Sequence, residues 1–250
     1  MKTTSHISIL GVRIDNVTFE ETLVYALKCL KGKSSNYFTT PNPEITLLAQ
    51  KNPAYQKILN ASALNTPDGT GLIYASKLLK LFGKSKIFLR ERVTGTDLTI
   101  ELIKRSKTYG YKIFFFGASK ESNAKTQEFA RRYGAHIAGD YSGGDMEDEK
   151  LITRINQSKA DLVLVALGAP KQELWISKHL KECPHVKLMI GIGGAFDFIA
   201  EARVRAPSPL RRLGFEWLYR LIQEPRRIKR IANAVFVFPM KVFLSAISDI

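Results

Sequence analysis

The chain has 250 residues, enough for one large domain or two small lobes, and its 45% apolar and 24% charged content is that of an ordinary soluble protein. Its formal net charge of +15 is not ordinary and points to anionic partners such as phosphates, anionic lipid or nucleic acid. The stretch Met1–Gly11 lacks the apolar run of a signal peptide, and no segment reaches about 18 uninterrupted apolar residues. Cys29 and Cys183 stand far apart without zinc spacing, which reads as a pair of reduced cytoplasmic thiols.

Short apolar runs alternate with helical periods. Asn36–Thr40 reads as a strand, followed by T-P-N-P-E and a helix through Gln50. Ala63–Thr66 is a second short strand that ends in P-D-G-T-G, with a helix at Leu72–Leu81. Thr96–Lys107 is helical, with Thr96 as its cap. Lys112–Phe116 is a buried strand; Gly117 turns the chain, and Ser119 caps a helix through Tyr133. Ala135–Ala138 is a strand and Glu147–Gln157 a helix. Leu162–Leu167 is a fully apolar strand stopped by G-A-P, with Pro170 in the first turn of the next helix. Lys187–Ile190 is the last strand, closed by G-I-G-G. This alternation predicts an α/β, Rossmann-like fold, a mostly parallel sheet with helices on both faces. From about Glu201 the pattern is helical and basic only. Residues 1–200 therefore read as the core and 201–250 as an appendage.

In such sheets ligands bind beyond the carboxyl ends of the strands. Five polar loops stand there: Thr40–Glu44, Thr66–Gly71, Phe116–Ser119, Leu167–Glu173 and Gly191–Asp197. Asp68 follows a strand and a proline and reads as a general base, with a helix cap as the structural alternative. Thr40 and Asn42 offer a hydroxyl and an amide suited to orienting a sugar, or to turn chemistry between two prolines. Gly117 and Gly193 let the backbone approach a nucleotide. Gln172 and Glu173 lie in a first helical turn, where amides attract phosphate and a glutamine can read a base or ribose; capping is the alternative. Asp197 could bond a ribose hydroxyl or cap a helix. There is no G-x-G-x-x-G, no G-x-x-x-x-G-K-[ST], no D-x-D pair and no H-E-x-x-H, and His6, His136, His179 and His185 are scattered. The acidic run Asp145–Glu149 reads as a solvated helix start. A nicotinamide-dependent oxidoreductase is disfavoured, and a bound diphosphate would be neutralised by arginine.

Arg203–Arg230 carries nine Lys/Arg against two Glu. Leu210, Leu213, Trp217, Leu218 and Leu221 share one helical face, with arginines beyond it. A second helix starts at Pro225, with Ile228, Ile231, Val235 and Phe238 as its stripe. Arg211, Arg212, Arg220, Arg226, Arg227 and Arg230 are the candidates for a diphosphate or a membrane surface, with two core-facing stripes and arginines that only solvate the outer face as the structural alternative. Ile231–Ile247, broken by Asn233, Pro239 and Lys241, could lie on a bilayer but is a poor candidate to cross one. A basic nucleic-acid-binding module is the competing class, but it would have no use for polar loops at strand ends.

The loops taken together and in order, T-P-N-P-E, T-P-D-G-T-G, E-R-V-T-G-T-D, F-F-F-G-A-S, L-V-L-V-A-L-G-A-P-K-Q-E, G-I-G-G-A-F-D-F and R-A-P-S-P-L-R-R-L-G-F-E-W-L-Y-R-L-I-Q-E-P-R-R, resemble the WecG/TagA/CpsF family of bacterial glycosyltransferases from about Asn36 to Arg230. The resemblance implies an inverting enzyme without metal or other cofactor. It would pass a sugar from a UDP-sugar to a polyprenyl-diphosphate-linked sugar at the anionic inner face of the plasma membrane, as a cytoplasmic, peripheral protein with no nucleic acid partner. In the wall-teichoic-acid branch the donor is UDP-N-acetylmannosamine, the acceptor undecaprenyl-diphosphate-N-acetylglucosamine and the linkage β-1,4; other branches use the uronic acid or a hexose. The family's base falls on Asp68, its acceptor-site residues on Thr40 and Asn42, its loop glutamine on Gln172, and its arginine-rich appendage on Arg203–Arg230. The apolar stripe of that appendage could also support a homodimer. The chain departs from the family pattern at Ile199-Ala200-Glu201, where a glycine is expected after F-D-F.

Overall fold

The six strands of the main sheet are the six read above, and those at Lys112–Gly117, Leu162–Ala166 and Leu188–Gly191 are mostly apolar. The computed structural model describes residues 5–142, 149–201, 219 and 228–248. Its elements are β1 (His6–Ile9), β2 (Val12–Asp15), α1 (Phe19–Lys31), β3 (Asn36–Thr39), α2 (Pro43–Gln50), α3 (Pro53–Asn60), β4 (Leu64–Asn65) and α4 (Thr70–Leu81). Then follow α5 (Gly95–Tyr109), β5 (Lys112–Gly117), α6 (Lys120–Arg132), β6 (His136–Tyr141), α7 (Glu149–Ser158), β7 (Leu162–Ala166), α8 (Lys171–His179), β8 (Leu188–Gly191) and α9 (Ala195–Ile199). The C-terminal helix runs Ile228–Ile247, with a π-helical turn at Asn233–Val237.

The sheet has the order β4-β3-β8-β7-β5-β6 and every pairing is parallel. All six carboxyl ends therefore open on one edge. Successive side chains along β5 point to opposite faces. Ile113 and Phe115 pack with Leu23, Leu98, Leu102 and Phe196 from α1, α5 and α9. Phe114 and Phe116 pack with Leu151, Ile155, Trp175 and Ile176 from α7 and α8. Both faces of the α/β, Rossmann-like sheet are covered, which is why its central strands β5, β7 and β8 are mostly apolar.

A third core lies beside the sheet. Ile7, Ile9, Val12 and Ile14 of an antiparallel β1–β2 hairpin pack there with Leu72, Ala75 and Leu79 of α4 and with Phe238, Val242 and Ala246 of the C-terminal helix. By length and composition alone that helix is long and apolar enough to cross a bilayer, and little of it is buried. Its buried stripe is held in this core, while Phe236, Met240, Phe243, Leu244 and Ile247 are exposed. The stripe expected from sequence is shifted: Phe238 is fully buried, but Ile228 is exposed.

The structure adds β1, β2, α1, α3 and α9 to the elements read from sequence and shifts the ends of others. The β1–β2 turn is made by Leu10 and Gly11, both with positive φ, and a leucine is not a turn signature. Helix α1 begins with a capping box between Thr18 and Glu21, and α3 with Asn52 as its cap and Pro53 in its first turn. Helix α5 starts at Gly95 with Thr94, not Thr96, as its cap. Glu201 closes α9 with a φ of 56°, in the left-handed region that favours glycine. The departure from the family pattern thus falls beside a backbone position where glycine would be unstrained.

Two predictions follow from the packing. Gly117 has φ +94°, and a Cβ there would meet the Ala166 carbonyl oxygen at 2.7 Å, whereas nothing lies within 4 Å of a Cβ at Gly110, with φ +75°. Gly117→Ala should therefore cost at least about 2 kcal/mol and Gly110→Ala about 1 kcal/mol in urea denaturation. Cys29 and Cys183 are buried, and burial pushes both thiols up to about 11. At pH 8 neither should react with a thiol reagent until the chain is unfolded, when both should titrate.

Candidate active site

The short strand β4 carries Asp68 into position through a buried polar lattice. The Asp15 carboxylate accepts the Asn65 amide N–H at 2.7 Å, and the Asn65 side chain bonds the Thr39 and Ser62 hydroxyls. Arg13 donates to the Ser62 and Asn60 carbonyls at 2.7 and 3.0 Å. Burial pushes the Asp15 carboxyl above its ordinary value, against the Asn65 amide and Arg13, which pull it down. The lattice ties β2, β3 and β4 together just ahead of the loops.

Beyond it the loops hold one another. Asp68 N–H donates to the Pro41 carbonyl at 2.9 Å, and Val93 N–H to the Pro67 carbonyl at 3.0 Å. One Asp68 oxygen accepts the Gly95 N–H at 3.2 Å, and the other lies 3.9 Å from an Arg92 guanidinium nitrogen. Asp68 therefore does not cap its own helix: Gly69 is the N-cap residue of α4, without a side-chain bond. Its carboxylate faces the start of a different helix, α5, and remains about a quarter exposed.

Thr40 and Asn42 stand beside it. The Thr40 hydroxyl donates to the Gly191 carbonyl at 3.1 Å, linking the loops after β3 and β8. The Asn42 carbonyl oxygen accepts the Ile45 N–H at 3.0 Å and so caps α2. Among the described residues no bond is made by its amide nitrogen. Gln172 is also tied down: its Oε1 accepts the Gly168 and Gly193 amides at 3.2 and 2.9 Å. Its Nε2 donates to Glu173, which is buried and accepts the Tyr55 hydroxyl at 2.9 Å.

Two cavities meet at Asp68. A polar one of about 330 Å³ is lined by Thr40, Thr96, Ala118, Gly168, Ala169, Gln172, Gly193, Gly194 and Asp197, so all five strand-end loops reach one cleft. An apolar groove of about 520 Å³ runs between α4 and the C-terminal helix, along Tyr74, Ala75, Leu78, Ile231, Ala234, Val235 and Phe238. Asn42, Glu44, Asp68 and Arg230 line both. Arg230 forms a forked pair with Glu44, at 2.6 and 3.0 Å. Arg211, Arg212, Arg220, Arg226 and Arg227 lie outside the described residues. Gly117 turns the chain at the rim, and its neighbour Ala118 lines the polar cavity. Glu173 does not line either cavity.

Sequence reasoning passed over Arg92, Thr96, Glu44 and Tyr55 as site residues. Arg92 and Thr96 follow no strand, so strand-end logic does not reach them; the only pointer was their place in E-R-V-T-G-T-D. Among the described residues no group of three or more His, Cys, Asp or Glu is placed to hold a metal ion.

Residues 7–249 match the model of the glycosyl transferase WecG/TagA/CpsF family. Proteins of Staphylococcus aureus strains MRSA252, MW2 and NCTC 8325 are each 32% identical over 243 residues, covering 96% of this chain and 92% of theirs. Each is named N-acetylglucosaminyldiphosphoundecaprenol N-acetyl-beta-D-mannosaminyltransferase.

Proposed function

The chain belongs to the WecG/TagA/CpsF family of glycosyltransferases, and from that premise we propose that it transfers N-acetylmannosamine from its UDP-sugar to undecaprenyl-diphosphate-linked N-acetylglucosamine, in wall teichoic acid linkage-unit synthesis. The observation that carries this reading is the meeting of a polar cavity and an apolar groove at one carboxylate, Asp68. A donor that is all polar and an acceptor that trails a hydrocarbon chain need two such spaces with the reacting atoms at their junction.

The nucleotide and its diphosphate occupy the loops after β5, β7 and β8, where Ala118, Gly168 and Gly193 present backbone and Asp197 reaches a ribose hydroxyl. The prenyl chain lies in the groove between α4 and the C-terminal helix, where burial of each methylene is worth about 0.8 kcal/mol. Thr40 and Asn42 orient the acceptor sugar. Asp68, aligned by Gly95 and Arg92, removes the proton of the attacking hydroxyl as its oxygen bonds the anomeric carbon. The bond to UDP breaks on the opposite face, so the anomeric configuration inverts in this single displacement. Arg230, which lines both spaces, offsets the growing negative charge of the leaving diphosphate, a preorganised stabilisation that needs no divalent ion.

Residues 201–250 serve as the appendage that completes this site. The exposed apolar side of the C-terminal helix, together with the basic Arg203–Arg230, suits a peripheral position on the anionic cytoplasmic face of the membrane that holds the acceptor.

Asp68→Asn should lower turnover by roughly 10²–10⁴-fold while UDP affinity, measured by calorimetry, stays unchanged; near-normal turnover would remove Asp68 from the base's role. Ala234→Trp, which fills the groove, should raise KM about tenfold for a long-chain lipid acceptor and leave a short-chain, water-soluble acceptor unaffected. Equal effects on both acceptors would place the chain elsewhere. Turnover with each UDP-sugar in turn distinguishes N-acetylmannosamine from its uronic acid or a hexose.

A further inference from the structure

Gln172 was expected to read a base or ribose directly, yet its side chain is almost wholly buried and each of its polar groups is engaged. Its Oε1 carries two lone pairs, and both are used: by Gly168 N–H at 3.2 Å from the loop after β7, and by Gly193 N–H at 2.9 Å from the loop after β8. The amide thus bolts together two loops whose own ladder partners have run out. This works in one orientation only. A flipped amide would set an NH₂ group against two N–H donors.

Glu173 and Tyr55 hold that orientation. The Glu173 carboxylate accepts the Gln172 Nε2–H at 2.7 Å through one oxygen and the Tyr55 hydroxyl at 2.9 Å through the other. Burial pushes the Glu173 carboxyl above its ordinary value, yet each of its oxygens faces a donor, and the oxygen that accepts from Gln172 selects its NH₂ end and turns Oε1 toward the glycines. Tyr55 comes from α3, outside the sheet's strand-end loops, and is itself buried. Room for the clamp is left by Gly191, where a Cβ would lie 2.9 Å from Gln172 Nε2. Burying an acidic group at Glu173 without a cation beside it is costly. No contact with either cavity repays that cost, so the orientation of Gln172 is the return.

We propose that Glu173 and Tyr55 are positioning residues for the donor site: they lock the Gln172 amide, which clamps the Gly168 and Gly193 loops into the single surface that receives the nucleotide. This rests on the reading that the polar cavity takes the UDP part of the donor.

The test is a swap of the two side chains. Gln172→Glu alone puts two carboxylates face to face and should undo the clamp. Adding Glu173→Gln restores a full match: the new carboxylate at position 172 accepts both glycine amides and the Nε2–H of the new amide at 173, whose oxygen accepts Tyr55. Two readouts are needed, each after a thermal melt has shown the variant folded.

Hydrogen exchange at the Gly168 and Gly193 amides, by NMR without ligand, should speed up at least about tenfold in Q172E and return to within about threefold of the parent in the double variant. The donor KM should rise about tenfold in Q172E with kcat nearly unchanged, and recover in the double variant. If Q172E does not fold, Tyr55→Phe supplies the test, with a smaller increase, about fivefold, in both exchange and donor KM.

A double variant as loose as Q172E, or a parent-like Q172E, overturns the clamp. Exchange that behaves as expected with a donor KM that does not move overturns the positioning role. Failure of the parent protein to bind UDP overturns the nucleotide reading and, with it, the donor-site role, while the exchange pattern still decides whether the clamp exists.

Discussion

Backbone amides at the carboxyl edge of a parallel sheet have no further strand to bond, and every loop that leaves this edge must find partners elsewhere. Here the loops satisfy one another. Asp68 N–H reaches Pro41, Val93 N–H reaches Pro67, Gly95 N–H reaches the Asp68 carboxylate, and Gly168 and Gly193 share Gln172. Most of the cleft's shape follows from these few bonds. They also explain why Gln172, which looks like a ligand reader in sequence, spends its hydrogen-bonding capacity on the protein.

Charge is arranged around that frame. Asp68 remains partly exposed at the junction of the two cavities, and its two oxygens are oriented separately, by a helix-start amide and by Arg92. Arg230 sits at the same junction in a forked pair with Glu44. A guanidinium paired at the surface gains little from a single carboxylate, so an incoming diphosphate, with more charge and more acceptor oxygens, can compete for it.

The C-terminal helix shows how one segment serves two surfaces. Phe238, Val242 and Ala246 anchor it to the β1–β2 hairpin and α4, and Ile231, Ala234 and Val235 wall the apolar groove. Phe236, Met240, Phe243, Leu244 and Ile247 face outward. The helix is thus apolar on more than one side, with one side packed and another exposed.

The fold class was legible in the sequence because fully buried parallel strands must be apolar, and the runs at Lys112–Gly117 and Leu162–Ala166 have few other readings. The five strand-end loops were legible for the same reason, and all five reach the cleft. The Leu10-Gly11 turn was not, since its positive φ values are imposed by the packing of the hairpin it closes. Arg92 was not, because it reaches Asp68 only after α5 folds back beside the Pro67 loop. Sequence by itself determined which residue types stand at the ends of the strands, through local propensity and the periodicity of burial. Only the tertiary structure decided which of them face a ligand and which are consumed in holding the loops, because a hydrogen-bonding group acts on whatever lies within about 3 Å, and partners such as Tyr55 and Glu173 are set by packing across the chain.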